Sequence, residues 1–329
     1  MFEVMNVMLV SDDNFVFLLL VSLWSLFESN REIPITVYII SDNISKDNID
    51  KIYAIAHKFK KSIVIIDAPK LNNISITGEY NITTFYRLKM ASLLPADVNR
   101  VLYMDCDTLV CRELHNFYFA DLKGYVIAGV WDTTYPSARY DIGLDDNDIY
   151  INAGVLLIDL DKWRKDGYED KCFTYLREQN YQVQFNDQGI INHVCRGKIK
   201  IVNPRYNLIW PYMGLPYFSL SKRARNEMFY SKEEIAEAVD NPAIVHFAGE
   251  AYLRPWYDFS ISPYVDEFNS ICSQAGLLYE KRKYSMTKKM RFDRWVISRK
   301  KPINGYLLLI VRVAHQIKVI FNKALRRTR

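Results

Sequence analysis

The chain of 329 residues holds only 12 glycines, and none falls in a G-x-G-x-x-G or G-x-x-x-x-G-K-[ST] pattern. The two usual backbone cradles for phosphate are therefore missing. If such a chain handles a nucleotide, phosphate charge has to be neutralised another way, and a metal ion is the obvious candidate. Cysteine is also sparse: Cys106, Cys111, Cys172, Cys195 and Cys272, with no C-x-x-C. The odd count and the spacing argue against a disulfide frame or a zinc site and for free thiols in a reducing compartment. Long apolar runs are missing too. FVFLLLVSLWSLF (15–27) comes nearest, but Asp12 and Asp13 precede it where a leader has lysines, and it is too short to span a bilayer. It reads as a buried helix in a body that is not exported. No internal repeat and no low-complexity linker is visible.

What is present is a folded, aromatic-rich chain. Hydrophobic content is 50% and charged content 25%, with 23 Tyr and 17 Phe, enough to fill one large domain or two. The net charge of +5 conceals an asymmetry. Residues 281–329 carry sixteen Lys/Arg and the single acid Asp293, a net of +15, whereas the rest of the chain is at −10. A basic tail on an acidic body points to an acidic surface as the tail's partner.

The first hundred residues alternate. Strand-like runs at 4–10, 35–40, 62–67 and 100–105 are separated by helical patterns at 15–29, 45–59 (Ser45 as N-cap) and 83–94. Further strands are expected at 125–132, 151–160, 198–202 and 243–247, and helices at 160–180 and 186–195. This alternation argues for an α/β fold with a parallel sheet covered on both faces. Such sheets bind ligands at the carboxyl ends of their strands. Asp12 and Asp13 follow the first strand, and Asp105 and Asp107, in RVLYMDCDTLV, follow the fourth. Both acidic clusters fall on one edge.

Two carboxylates one residue apart repel, and each is costly to desolvate. A divalent cation between them removes the conflict, and Mg²⁺ and Mn²⁺ favour carboxylate oxygens, with imidazole tolerated by Mn²⁺. His246, at the end of AIVHF, can supply a third ligand from far away in sequence. Alone, an Asp-x-Asp or a histidine more often belongs to a solvated turn or a packed core. The combination changes that. VSDDNF, ITTFYRLKM, RVLYMDCDTLV, VWD, YINAGVLLIDLDKWR, FNDQGIIN and VHFAGEAYLRPW follow one another in an order that resembles glycosyltransferase family 8, over residues 4 to about 260. These are retaining sugar-nucleotide transferases that include glycogenin and bacterial lipopolysaccharide glucosyl- and galactosyltransferases.

The resemblance implies a GT-A type fold: a single Rossmann-like, mostly parallel mixed sheet flanked by helices. It implies that Asp12 and Asn14 contact uracil and ribose, and that Arg87 lies by the nucleotide and donor sugar. Asp105, Asp107 and His246 become the ligands of Mn²⁺ or Mg²⁺. Asp132, Asn152 and Ala153 border the sugar, Asp187 and Gln188 flank the anomeric carbon, and Gly249 lies near the diphosphate. The family usually has Lys before Pro-Trp, gripping the pyrophosphate; Arg254 stands there, after a slightly longer spacing from Gly249. Arg can serve as a bidentate fork, with a different reach.

The expected function is retaining transfer of galactose or glucose from UDP-galactose or UDP-glucose to a saccharide acceptor, lipid-linked or part of lipopolysaccharide or another surface glycan. Gln188 bears an amide and cannot be a base near neutral pH. Front-face substitution, with the departing phosphate taking the acceptor's proton, is therefore preferred over double displacement on Asp187 or Asp132. Rival readings are a sugar-nucleotide-binding relative or membrane-bound scaffold without turnover, and a haloacid-dehalogenase-like phosphatase. The phosphatase pattern wants Thr or Val where Leu109 stands. Residues 1–280 are expected to form the catalytic domain and 281–329 a basic amphipathic tail, in which Leu307, Ile310, Val311, Ala314, Ile317, Phe321 and Leu325 recur at helical spacing. That pattern fits a helix lying on an anionic membrane. No nucleic-acid module matches it. The protein is accordingly expected in the cytoplasm, held peripherally at the cytoplasmic face of the membrane.

Overall fold

The computed structural model describes residues 3–70 and 83–298. Ile82, which opens ITTFYRLKM, and the apolar stripe from Leu307 onward lie outside the described residues. Nine strands occur among the described residues. They are β1 (Met5–Asp12), β2 (Ile35–Asp42), β3 (Ser62–Asp67), β4 (Arg100–Met104), β5 (Thr108–Val110), β6 (Ile127–Trp131), β7 (Ile151–Asp159), β8 (Ile199–Ile201) and β9 (Ile244–His246). Seven form one mixed sheet in the order β3-β2-β1-β4-β7-β6-β8; β7 runs antiparallel to both neighbours and every other pair is parallel.

Alternate residues of the central strands feed two cores. Val7 and Leu9 face one, Met8 the other; Val37 and Ile39 oppose Tyr38 and Ile40 in the same way. Both faces are thus covered, as the continuous apolar strand runs require. The run 15–27 becomes the helix α1 (Val16–Ser29), buried along almost its whole length. Its serines are used internally. Ser22 and Thr108 share a hydroxyl hydrogen bond (3.0 Å), and the Val110 amide donates to Ser25 Oγ (3.0 Å), which ties β5 to α1. In the helix α2 (Lys46–Phe59), Ser45 stands at the N-cap without a side-chain cap bond. Its amide donates instead to Asp13 Oδ1 at 2.8 Å, as does Asn48 Nδ2.

The topology gathers one end of the molecule. β1, β4 and β6 run in one direction, so Asp12, Asp105 and Asp132 emerge at the same edge. Because β7 runs against them, its beginning lies there as well: Met104 pairs with Val155 and Trp131 with Ile151. Residues 281–298 continue onto the body, past the composition break at 280. The Arg282 amide donates to Trp256 O (2.8 Å), and the helix Lys288–Ile297 buries Val296 and Ile297 in the first core. Among the described residues no helix is long and apolar enough to cross a membrane, and none of the five cysteines forms a disulfide.

Candidate active site

Asp105 and Asp107 sit on the turn between β4 and β5. β5 pairs antiparallel with β9, and Thr108 lies opposite His246. This two-stranded ribbon delivers a histidine 139 positions away in sequence to the aspartate pair. The backbone locks the arrangement: the Asp105 amide donates to Gly154 O (2.8 Å) and the Phe247 amide to Asp107 O (2.9 Å). His246 Nε2 lies 3.2 Å from Asp107 Oδ1 and 3.7 Å from Asp105 Oδ2. One ligand atom from each of the three residues falls within 4.8 Å of the others. The imidazole's other nitrogen, Nδ1, is engaged by Asn207 Oδ1 at 3.0 Å. Two hard oxygen donors and one imidazole nitrogen, converging on open space, fit a divalent cation such as Mn²⁺ or Mg²⁺.

Counter-charge is built in around them. Arg87 is buried; its Nη2 donates to Asp105 Oδ1 (2.8 Å), its Nη1 to Ala153 O (2.9 Å), and its Nε lies 3.2 Å from Asp187 Oδ2. Tyr103 carries the guanidinium over its ring at 4.4 Å and donates its hydroxyl to Asp105 Oδ1 at 2.7 Å. Burial works against the Arg87 charge, but Asp105 and Asp187 outweigh it and raise its pKa. Burial likewise pulls His246 down, and the Asp107 and Asp105 carboxylates more than reverse this. For Asp107, burial favours the neutral acid, but His246 and Arg254 bring the carboxyl below its ordinary value. Burial pushes Asp187 up to about 6 despite Arg87. Asp132 is raised by burial, against hydrogen bonds from Asn152 and Gln188.

The opposite wall is a web of amides. Asn152 Nδ2 donates to Asp132 Oδ2 (2.9 Å). Gln188 Oε1 accepts from the Ala153 amide (3.0 Å), while its Nε2 donates to Tyr150 Oη (3.0 Å) and faces Asp132 Oδ2 (3.3 Å). Gln188 and Asp187 lie in the first turn of the helix Asn186–Val194, entered through Phe185 and Asn186 at φ of 58° and 47°. Two successive left-handed non-glycine residues store strain beside the site. Asn192, fully buried, holds this helix to β7: its Nδ2 donates to Ile151 O (2.8 Å) and its Oδ1 accepts from the Ile151 amide (2.7 Å).

These walls enclose a cleft of about 800 Å³. Of the residues singled out in the sequence, the cleft collects Asp12, Arg87, Asp105, Asp107, Asp132, Asn152, Ala153, Asp187, Gln188, His246, Gly249 and Arg254. Asn14 is placed apart, with Asp13, on a neighbouring groove of about 550 Å³ between α1 and α2. Gly249 adopts φ +117°, a backbone that side-chain-bearing residues rarely take. Arg254 Nε is buried and makes no hydrogen bond. Residues that motif reading did not single out are Tyr103, Tyr150, Gly154, Asn192 and Asn207. All but Asn207 stand inside the quoted motifs, where no role was assigned to them.

The family model described as glycosyl transferase family 8 matches residues 6–260. General stress protein A of Bacillus subtilis is 25% identical over 274 residues, covering 81% of this chain and 92% of that protein. A lipopolysaccharide 1,2-glucosyltransferase of Escherichia coli is 26% identical over 277 residues, covering 82% and 78%. The crystal structure of galactosyltransferase LgtC in complex with donor and acceptor sugar analogues superposes with a TM-score of 0.68 at 24% identity, covering 88% of this chain and 99% of that one. That likeness is one of fold, the GT-A type. Because the family match runs from β1 to beyond Arg254 and takes in every wall of the cleft, the chain belongs to glycosyl transferase family 8.

Proposed function

We propose that this glycosyltransferase moves galactose or glucose from a UDP-sugar to a saccharide acceptor with retention of anomeric configuration, in the synthesis of lipopolysaccharide or another surface glycan. The observation that carries the reading is the convergence of Asp105, Asp107 and His246 on a cleft whose far wall is Asp132, Asn152, Asp187 and Gln188. Family membership sets aside the phosphatase alternative.

Asp105, Asp107 and His246 would hold Mn²⁺ or Mg²⁺, which when bound supplies Lewis-acid stabilisation of a departing diphosphate. Arg254, with its unpaired buried Nε, would grip the pyrophosphate beside Gly249. Arg87 adds fixed positive charge near the sugar. Asp12, and Asn14 from the rim, would read uracil and ribose. Asn152, Ala153 and Asp132 would border the sugar.

For the chemical step, the acceptor oxygen forms a bond to the anomeric carbon on the face from which the phosphate oxygen leaves, and that phosphate oxygen takes the hydroxyl proton. Three features favour this over double displacement. Gln188 has no basic lone pair near neutral pH. Asp132 Oδ2 already accepts from Asn152 and faces the Gln188 amide. Asp187 is paired with Arg87. Neither carboxylate is thus a free nucleophile.

The test is hydrolysis of UDP-glucose and UDP-galactose without acceptor, with and without Mn²⁺. One of the two is expected to turn over only with metal and to release the α-anomer first, as followed by proton NMR. Asp107→Asn is expected to lower this turnover by two orders of magnitude or more, the ~3 kcal/mol of one electrostatic contact to a developing charge. Metal-independent turnover, or none on any UDP-sugar, would remove the proposal. A glycosyl-enzyme trapped on Asp187 or Asp132 would remove the front-face step alone.

A further inference from the structure

The hydrogen bonds behind the metal-ligand cluster form a directed chain, and its direction follows from one backbone group. The Gly154 amide lies 3.0 Å from Asn152 Oδ1. A backbone N–H can only donate, so that atom of Asn152 must be its oxygen. Asn152 Nδ2 then faces the Asp132 carboxylate, which can accept. The Asn207 amide group lies 2.9 Å from the same Asn152 oxygen, so the atom presented there is its nitrogen. Its oxygen is therefore the atom 3.0 Å from His246 Nδ1. An amide oxygen has no proton to give. In the neutral imidazole the proton must sit on Nδ1, which leaves the Nε2 lone pair aimed at Asp105 and Asp107.

We infer that Asn207 is the positioning residue that fixes the tautomer and ring orientation of His246 for metal binding. Its side chain is fully buried. Its backbone is clamped beside β9: the Leu208 amide donates to Ile244 O (2.8 Å) and the His246 amide to Leu208 O (3.1 Å). Its amide cannot flip without placing two oxygens together at Asn152 and two donors together at His246. A histidine held through its second nitrogen is a better and more rigid ligand, and loss of such a partner weakens metal binding about 10- to 100-fold in known sites. Through Asn152 the same chain ends on Asp132, so the imidazole and a carboxylate of the opposite wall share one hydrogen-bond lattice.

This inference rests on the metal reading above, and the experiment separates the two. Mn²⁺ binding in the presence of UDP is measured by titrating the free-ion EPR signal for the wild type, Asn207→Leu and Asn207→Asp. Leu keeps the branching and makes neither bond; Asp keeps an acceptor for Nδ1–H but sets an oxygen against Asn152 Oδ1. The Leu variant is expected to bind Mn²⁺ about 10- to 100-fold more weakly, and the Asp variant, which still accepts from Nδ1–H, to lose clearly less than the Leu variant. Equal affinity of wild type and Leu variant, or an equal loss in both variants, overturns the inference. A wild type that binds no Mn²⁺ overturns the metal reading instead. The second readout needs no metal and no substitution at Asn207. Imidazole ¹⁵N shifts of the metal-free wild type at alkaline pH, with His246 assigned by the signal missing in His246→Gln, are expected to show the proton on Nδ1. A proton on Nε2 overturns the inference whatever the binding data show.

Discussion

A Cβ at position 154 would come within 2.1 Å of His246 Cε1 and 2.9 Å of Asp105 Oδ2. The imidazole can approach the β7 backbone this closely only because that strand residue has no side chain. Gly154→Ala is therefore expected to push His246 away from the aspartates and to weaken Mn²⁺ binding at least 10-fold, read by the same EPR titration; unchanged binding would mean that the ring has room to shift. Asp187 carries a pH prediction. Its folded pKa of about 6 lies above the ordinary 3.8. The native state thus holds more protons than the unfolded state across that window, and stability falls as pH rises through it. In Asp187→Asn this fall is absent, so the urea midpoints of variant and wild type should converge toward low pH and diverge in the variant's favour toward pH 6; parallel curves would count against it. Legibility divides along chemical lines here. Asp105, Asp107, His246, Asn152 and Gln188 stand in motifs, because charged and amide groups at strand ends and in a first helical turn interrupt apolar runs and leave a pattern. Asn207 does not, and Asn192, although it ends FNDQGIIN, has a role that the motif does not disclose. Their partners are backbone and side-chain atoms far away in sequence, and a buried asparagine looks in sequence like any other.

At the scale of elements, strand and helix patterns marked most of the architecture, and the departures have local causes. The stretch 83–94 is not one helix but a turn at Thr83–Tyr86, a 3-10 turn at Arg87–Lys89 and a turn at Met90–Leu93. The break lets Arg87 reach across to Asp105 and Asp187. The stretch 160–180 divides into Leu160–Lys165 and Tyr168–Glu178 at Gly167, with φ +67°. β5 is only three residues long, and its partner β9 is remote, so no periodicity announces it. The end of the Arg87 segment is stapled by Arg164, whose guanidinium donates to Ala91, Leu94, Pro95, Ala96 and Val98 carbonyls at 2.8–3.5 Å. Arg164→Ala leaves these carbonyls without that donor and is expected to lower stability by about 1–3 kcal/mol in urea unfolding. Arg164→Lys should restore only part of it, since an ammonium cannot fork. Full recovery by Lys would show that the charge matters and the geometry does not.

For the whole molecule, packing against the body reaches at least to Val296 and Ile297, sixteen and seventeen residues past the composition break at 280. A chain ending at 298 is expected to keep wild-type stability and donor hydrolysis. One ending at 280 loses buried Val296 and Ile297 and should be destabilised by about 1.5–3 kcal/mol for each side chain. Flotation with anionic vesicles tests the membrane proposal: the full chain should bind and the chain ending at 298 should bind far less. Equal binding by both would place any lipid contact elsewhere. The sheet order was only partly legible, since a reversed strand such as β7 has the same apolar run as a parallel one. The ribbon that carries His246 also has a consequence for synthesis. The ribosome exposes Asp105 and Asp107 well before the third ligand emerges at position 246. A growing chain therefore carries both aspartates without the histidine that completes the cation seat, and the seat closes only once β9 has paired with β5.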